Sequence, residues 1–246
     1  MNSRVILVSD DRSSLRSPDT LLWPDAACMR GIHTGEWTAH IFEYAMSFEG
    51  NMTQVRELAA ANGVGVLHPH GALATDPPGL IVCDVDSTVT RTEAIDLLAE
   101  CAGKADEVRE ITARAMVGEL DFTQSLYARV RCLEGLHIGA LEEAWKATVI
   151  TPGTAELVAA AHDVGAAVGL VSGGFTAIVD PLAEQIRADF AASNELEIVD
   201  NHLTGRVVGD IIDRAAKATW LRRWASERGV ALERTIALGD GANDLD

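Results

Sequence analysis

Asp84 and Asp86 stand one residue apart where the apolar run Leu80–Cys83 breaks into polar residues, and they are the first place in the chain where chemistry could concentrate. Strand side chains alternate, so both carboxylates point the same way; two like charges so close call for a cation, a shared proton or a reaction. Taken alone, an Asp-x-Asp is more ordinarily a polar strand end feeding a turn. Two later strand ends and one lysine carry complementary chemistry. Ser172, Gly173 and Gly174 follow the apolar residues 166–171, and a hydroxyl with backbone N–H groups at a strand-to-helix turn can hold a phosphate. Lys217 lies on a segment of helical periodicity opened by Asp213. Gly239, Asp240, Gly241, Ala242, Asn243 and Asp244 close the short run Thr235–Leu238. Each has an ordinary reading too: Ser and Gly are common turn residues, and a helical lysine is usually a solvated surface group. Together, carboxylates and amides without His or Cys suit Mg²⁺, and a carboxylate nucleophile can divide phosphate hydrolysis into two steps.

The elements that must position these groups follow from patterning. Leu80–Cys83 reads as a buried parallel strand, and ligands of open α/β sheets bind at the carboxyl edge. Thr92 is expected to cap a helix with Ile95, Leu98 and Ala99 on one face and Gly103 at its end. Residues 104 to about 150 read as all helix, with a capping box from Asp121 and Gln124 opening a helix that places Phe122, Leu126 and Arg129 together and ends at Gly135. An all-helical insertion after the first strand suggests a lid that excludes water. Thr151 and Pro152 read as an N-cap and first helical position, in a helix running to Gly165. A hairpin is expected over residues 195–208, turning at Asp200 and Asn201. Asp213 is expected to open a helix with Trp220, Leu221 and Trp224 on its apolar face. Repeated alternation of strand and helix predicts an α/β fold.

Residues 1–75 read as a separate small α+β module, with strands at 5–8, 38–44 and 64–67 and an amphipathic stretch at Met52–Ala61. Thr75, Asp76, Pro77, Pro78 and Gly79 resist both helix and sheet pairing, so the domain boundary falls there, with the second domain at 79–246. His68 and His70 lack further ligands and read as polar loop.

Composition limits the partners. The 246 residues carry 20 Lys and Arg against 37 Asp and Glu, a formal net charge of -17, which opposes binding to nucleic acid or to anionic membrane surfaces. Any phosphate site must therefore be locally positive. Cys28, Cys83, Cys101 and Cys132 are far apart, with no C-x-x-C spacing, and read as reduced thiols. The N-terminus reaches acidic residues after too short an apolar run for a signal peptide, and no stretch is of membrane-spanning length, so a soluble, cytoplasmic protein is expected.

The whole constellation resembles the haloacid dehalogenase (HAD) superfamily, whose four motifs match Asp84-x-Asp86-x-Thr88, Ser172, Lys217, and Gly239-Asp240 with Asn243 and Asp244. More narrowly, DVDSTVTRTEAIDLLA, TARAMVGELDFTQSLYARV, VSGGF and ASNELEIVDNHLTG resemble the superfamily's phosphoserine phosphatases. The resemblance covers residues 79–246 and implies a HAD-like Rossmannoid parallel sheet with an all-helical cap at about 95–150. It implies Asp84 as nucleophile forming an aspartyl-phosphate, Asp86 as general acid and then base, and Mg²⁺ held by Asp84, Asp86 (through its carbonyl) and Asp240, with Asp244 and Asn243 orienting that shell. Ser172, Gly173 and Lys217 would bind the phosphoryl oxygens. Glu93 would take the ammonium and Arg129 the carboxylate of phosphoserine, with an apolar wall from Met116 and Phe122. Read without the resemblance, Glu93 complements a helix dipole and Met116 and Phe122 are ordinary cap core. The family also admits a homodimer and an ACT-like regulatory N-terminal module. Family members continue past the point matching Asp246, so the chain is expected to be a truncated member. The alternatives are a related small-molecule phosphatase or phosphotransferase, or a non-catalytic amino-acid-binding fragment.

Overall fold

The computed structural model describes residues 3–9, 27–34, 37–44 and 52–241, and the chain divides into two compact units, Met1–Asp76 and Pro77–Asp246. In the first, strands β1 (Ser3–Ser9), β2 (Ala27–Thr34), β3 (Trp37–Tyr44) and β4 (Gly65–Leu67) form one sheet in the order β2-β3-β1-β4, with every pair antiparallel. Helix α1 (Met52–Ala61) connects β3 to β4. Strand β2 is absent from the sequence reading. Its register against β3 shifts between Cys28 and Arg30, and such a bulge erases the period-two alternation by which strands are recognised.

The second unit is a five-stranded sheet in the order β8-β7-β6-β5-β9. Within it β5 (Leu80–Cys83), flanked by a strand on each side, is buried at all four positions and pairs in parallel with β6 (Ala167–Phe175) and β9 (Thr235–Leu238). Strand β7 (Phe190–Val199) continues the sheet in parallel, and β8 (His202–Val208) closes it as an antiparallel hairpin. Asp200 and Asn201 turn that hairpin with φ of 50° and 61°, the paired left-handed conformation that suits the twist of a two-residue loop.

Alternation splits β5 between two cores. Ile81 and Cys83 face Val158 and Ala161 of α6 (Thr154–Asp163) and Leu182 and Ile186 of α7 (Thr176–Ile186). Leu80 and Val82 face Trp224 and Ala225 of α8 (Arg214–Glu227). A Cβ at Gly169 would stand 2.6 Å from the Trp224 ring, so only glycine lets the indole pack this closely against β6. Between β5 and α6, helices α2 (Ala94–Cys101), α3 (Ala105–Met116), α4 (Phe122–Arg131) and α5 (Gly139–Ala147) form the all-helical cap. Its core joins Leu98, Val108 and Leu126 to Ile178, Leu196 and Leu203 of the sheet domain.

Three boundaries differ from expectation. Thr92 does not cap α2: its hydroxyl accepts the Val149 N–H at 3.3 Å, and Glu93 is the residue before the helix. Helix α6 begins after Gly153 (φ 92°), not at Thr151, because the Thr151 hydroxyl is spent on the Thr88 carbonyl at 2.8 Å. Helix α4 ends at Arg131, before Gly135.

Candidate active site

Everything at the carboxyl edge of β5 is held by partners from elsewhere in the chain. The Asp84 N–H donates to the Leu238 carbonyl at 2.8 Å, which locks the end of β5 to the end of β9. The next residues leave the strand as one wide turn, with Ser87 in the left-handed region (φ 58°) and the Thr90 N–H closing onto the Val85 carbonyl at 2.9 Å. That turn brings Asp86 back over the strand end. Its Oδ1 accepts the Ala94 N–H at the start of α2 at 2.9 Å, and its Oδ2 accepts the Ser172 hydroxyl at 3.1 Å. Ser172 in turn accepts the Gly174 N–H at 2.7 Å. A Cβ at Gly174 would lie 2.6 Å from Asp86 Oδ2, so that backbone can approach the carboxylate only as glycine.

Lys217 reaches the same place from α8, whose N-cap Asp213 accepts the Ala216 N–H at 2.8 Å. The Lys217 ammonium stands 2.7 Å from Asp84 Oδ1, with both side chains nearly buried. A cavity of about 450 Å³ opens over these groups, lined among others by Asp84, Asp86, Glu93, Arg129, Gly173, Lys217 and Asp240. Burial pushes the Asp86 carboxyl up to about 6; Glu93 and Asp84 add to the rise, and the bonds from Ala94 and Ser172 oppose it. On the cap side, Glu93 accepts the Ser87 hydroxyl at 2.6 Å and Arg129 Nε donates to the Ser125 carbonyl at 3.3 Å. Burial draws the Arg129 guanidinium below its ordinary pKa, against the pull of Glu93, Asp96 and Asp86.

The cavity thus collects Asp84, Asp86, Glu93, Phe122, Arg129, Gly173, Lys217 and Asp240 of the residues singled out in the sequence, with Ser172 bonded to Asp86 behind it. Met116 is a correction: it ends α3 with 84% exposure and does not line the cavity. Its place in the apolar wall goes to Ile95, Leu126 and Ile212 beside Phe122. Thr88 is also outside the cavity, giving its carbonyl to Thr151. Asn243 and Asp244 fall outside the described residues. Sequence reasoning missed Ile95, Ile212 and Arg214 as cavity residues, since an apolar or basic residue near a helix start gives no signal in one dimension. It also missed Asn194, a fully buried amide on β7 whose partners are backbone groups of other elements.

The donors fit Mg²⁺. Asp84 and Asp240 present hard carboxylate oxygens to one cavity, and the Asp86 carbonyl lies on the turn between them and α2. Among the described residues no three His, Cys, Asp or Glu side chains form a closed cage, and an ion that keeps several waters does not need one.

A mostly parallel sheet in this strand order, a helical cap, and Asp84 paired with Lys217 beside Asp86 point to one class of hydrolase. The chain belongs to the haloacid dehalogenase-like hydrolase family, whose model matches residues 81–246. Within it, the chain is 51% identical over 188 residues to the phosphoserine phosphatase of Streptomyces coelicolor, covering 76% of this chain and 46% of that protein. It is 50% identical over 167 residues to the phosphoserine phosphatase of Streptococcus thermophilus, covering 68% of this chain and 78% of that one. The chain therefore spans about half the length of the Streptomyces relative. Among solved structures, a HAD family hydrolase from Salmonella enterica serovar Typhi superposes with a TM-score of 0.88 at 25% identity, over 99% of this chain and 85% of that one. A probable phosphoserine phosphatase from Vibrio cholerae gives 0.80 at 35% identity, over 98% and 74%.

Proposed function

We propose that this chain hydrolyses O-phospho-L-serine to L-serine and phosphate, the last step of serine biosynthesis. The observation that carries the reading is the Asp84 carboxylate held by Lys217 at 2.7 Å, in one cavity with an Asp86 that is bonded to Ser172. In this reading an Asp84 oxygen attacks phosphorus as the bond from phosphorus to the serine oxygen breaks. Asp86 gives its proton to that departing oxygen. It then takes a proton from the water that attacks the aspartyl-phosphate, which restores Asp84 and frees phosphate. A carboxyl with a pKa of about 6 is suited to both halves of that task.

Ser172, the Gly173 backbone and Lys217 bind the phosphoryl oxygens, and they supply locally the positive field that a chain of net charge -17 lacks. Asp84, the Asp86 carbonyl and Asp240 would hold Mg²⁺. When bound, the ion offsets the repulsion between an anionic nucleophile and an anionic phosphoryl group. Glu93 takes the ammonium of the substrate and Arg129 its carboxylate, as a fork. Phe122 and Leu126 cover the short methylene between them. The first unit is a separate domain of ACT-like type, supported by its β2-β3-β1-β4 antiparallel order with a helix leading into β4.

The test is phosphate release from a panel of phosphomonoesters with Mg²⁺. Phosphoserine is expected to be preferred, Asp84→Asn to lower turnover by at least about 10³-fold, and Arg129→Ala to abolish the preference while retaining slow hydrolysis. Preference for another ester would move the reading to a related phosphatase. Absence of release from every ester by the parent chain would leave a binding protein.

A further inference from the structure

We propose that Asn194 is a positioning residue for phosphoryl binding: its amide clamps the Gly173 carbonyl and the Ile212 N–H, and so fixes the Ser172-Gly173-Gly174 turn against the start of the helix that carries Lys217. The inference rests on the reading of Ser172, Gly173 and Lys217 as phosphoryl-binding groups. It begins in the sheet register. Strands β6 and β7 pair Val171 with Ala192 and next Phe175 with Asn194, so residues 172–174 stand opposite Ser193 alone. The turn bulges out of the ladder, and its backbone groups lose the partners a regular strand would supply.

Asn194 supplies one of them. It is fully buried, its Nδ2 donates to the Gly173 carbonyl at 2.8 Å, and its Oδ1 accepts the Ile212 N–H at 2.8 Å. A carbonyl needs a donor and an N–H needs an acceptor, so only one orientation of an amide satisfies both, and a carboxylate satisfies one. The peptide unit joining Gly173 to Gly174 is consequently held at both ends: its carbonyl by Asn194 and its N–H by Ser172 Oγ at 2.7 Å. That peptide cannot rotate without breaking a bond on each side. On the far side of the clamp, Ile212 immediately precedes Asp213, the N-cap of α8. The two segments are close: a Cβ on Gly173 would lie 3.6 Å from the Ile212 carbonyl. One buried amide therefore sets the distance between the hydroxyl turn and the lysine helix, without touching a ligand itself.

The experiment uses inorganic phosphate, L-serine and phosphoserine, each with Mg²⁺, on the parent chain and on Asn194→Asp, Asn194→Leu and Leu196→Ala. Asn194→Asp keeps size and the Ile212 bond but turns an acceptor towards the Gly173 carbonyl. It is expected to weaken inorganic phosphate by about tenfold or more and to lower kcat for phosphoserine, with L-serine affinity within about twofold of the parent. Asn194→Leu is expected to do the same. Leu196→Ala, on the same strand in the cap core, lowers the melting temperature but leaves phosphate affinity in place. The proposal is overturned if phosphate affinity is unchanged in folded Asn194 variants, if phosphate and L-serine weaken together in step with melting temperature, or if neither variant folds. A parent that binds phosphate but does not hydrolyse phosphoserine defeats the proposed function and leaves this inference to its phosphate arm. A parent that binds no phosphate defeats both.

Discussion

At the scale of single residues, the site works by placing charges where solvent would not. Asp86 accepts two hydrogen bonds that favour its anion, yet burial outweighs them and carries its pKa from 3.8 to about 6. The consequence for stability has a definite sign. Below the unfolded value the carboxyl is neutral in both states and costs nothing; as pH rises through the window from 3.8 to about 6 the unfolded chain loses its proton first, so this group subtracts stability, fully above about 6. In the metal-free protein a carbon-13 titration is expected to place the Asp86 carboxyl midpoint near 6, and Asp86→Asn to make the melting temperature rise relative to the parent between pH 4 and 6. A midpoint at an ordinary aspartate value would remove the basis for Asp86 as a proton donor. Burial acts in the same direction on Cys83, pushing its thiol up to about 11 with the neighbouring Asp84 adding to the rise, so that residue is core and not nucleophile.

At the scale of elements, what was legible depended on how local the cause is. Strands β5 and β9 were readable because a short run, four apolar residues in β5 and three after Thr235 in β9, ends in a polar turn, and the β7–β8 hairpin because Asp200-Asn201 tolerates positive φ. The cap helix α4 was readable from its first turn: Asp121 accepts the Gln124 N–H at 2.7 Å while Gln124 Oε1 accepts the Asp121 N–H at 3.0 Å, the reciprocal box its spacing predicts. Thr151 was misread because its partner is the Thr88 carbonyl, 63 residues away, and Asn194 was missed because its worth lies in two backbone groups of other elements. Neither is visible in one dimension. The Asp121 cap gives α4 a prediction of its own. Asp121→Ala is expected to cost about 1 kcal/mol in denaturant unfolding. Because Phe122 and Arg129 ride on that helix and line the cavity, fraying its first turn is also expected to raise KM for phosphoserine several-fold with kcat little changed. A fall in kcat alone would separate the cap from substrate binding.

At the scale of the whole molecule, the composition and the site pull in opposite directions. A chain of net charge -17 draws divalent cations and repels phosphate esters, so the cluster of Lys217, Arg129 and Arg214 around one cavity must act at short range, where salt screens least. That cluster belongs entirely to the second unit, and so do the motifs, the cap and both cores. The unit's first residues are firmly held: Arg234 Nε and Nη2 donate to the Pro77 carbonyl at 3.1 and 3.0 Å, and the Gly79 N–H donates to the Arg234 carbonyl at 2.8 Å. Just before them Thr75 and Asp76 are exposed. If the units are independent domains, a protease should therefore cut on the N-terminal side of Pro77 and stop. Limited proteolysis with an enzyme that cleaves before aspartate is expected to give a resistant fragment starting at Asp76, which melts cooperatively and keeps its affinity for inorganic phosphate with Mg²⁺. Rapid degradation beyond Pro77, or loss of phosphate binding on cleavage, would mean that the first unit is needed to complete the second.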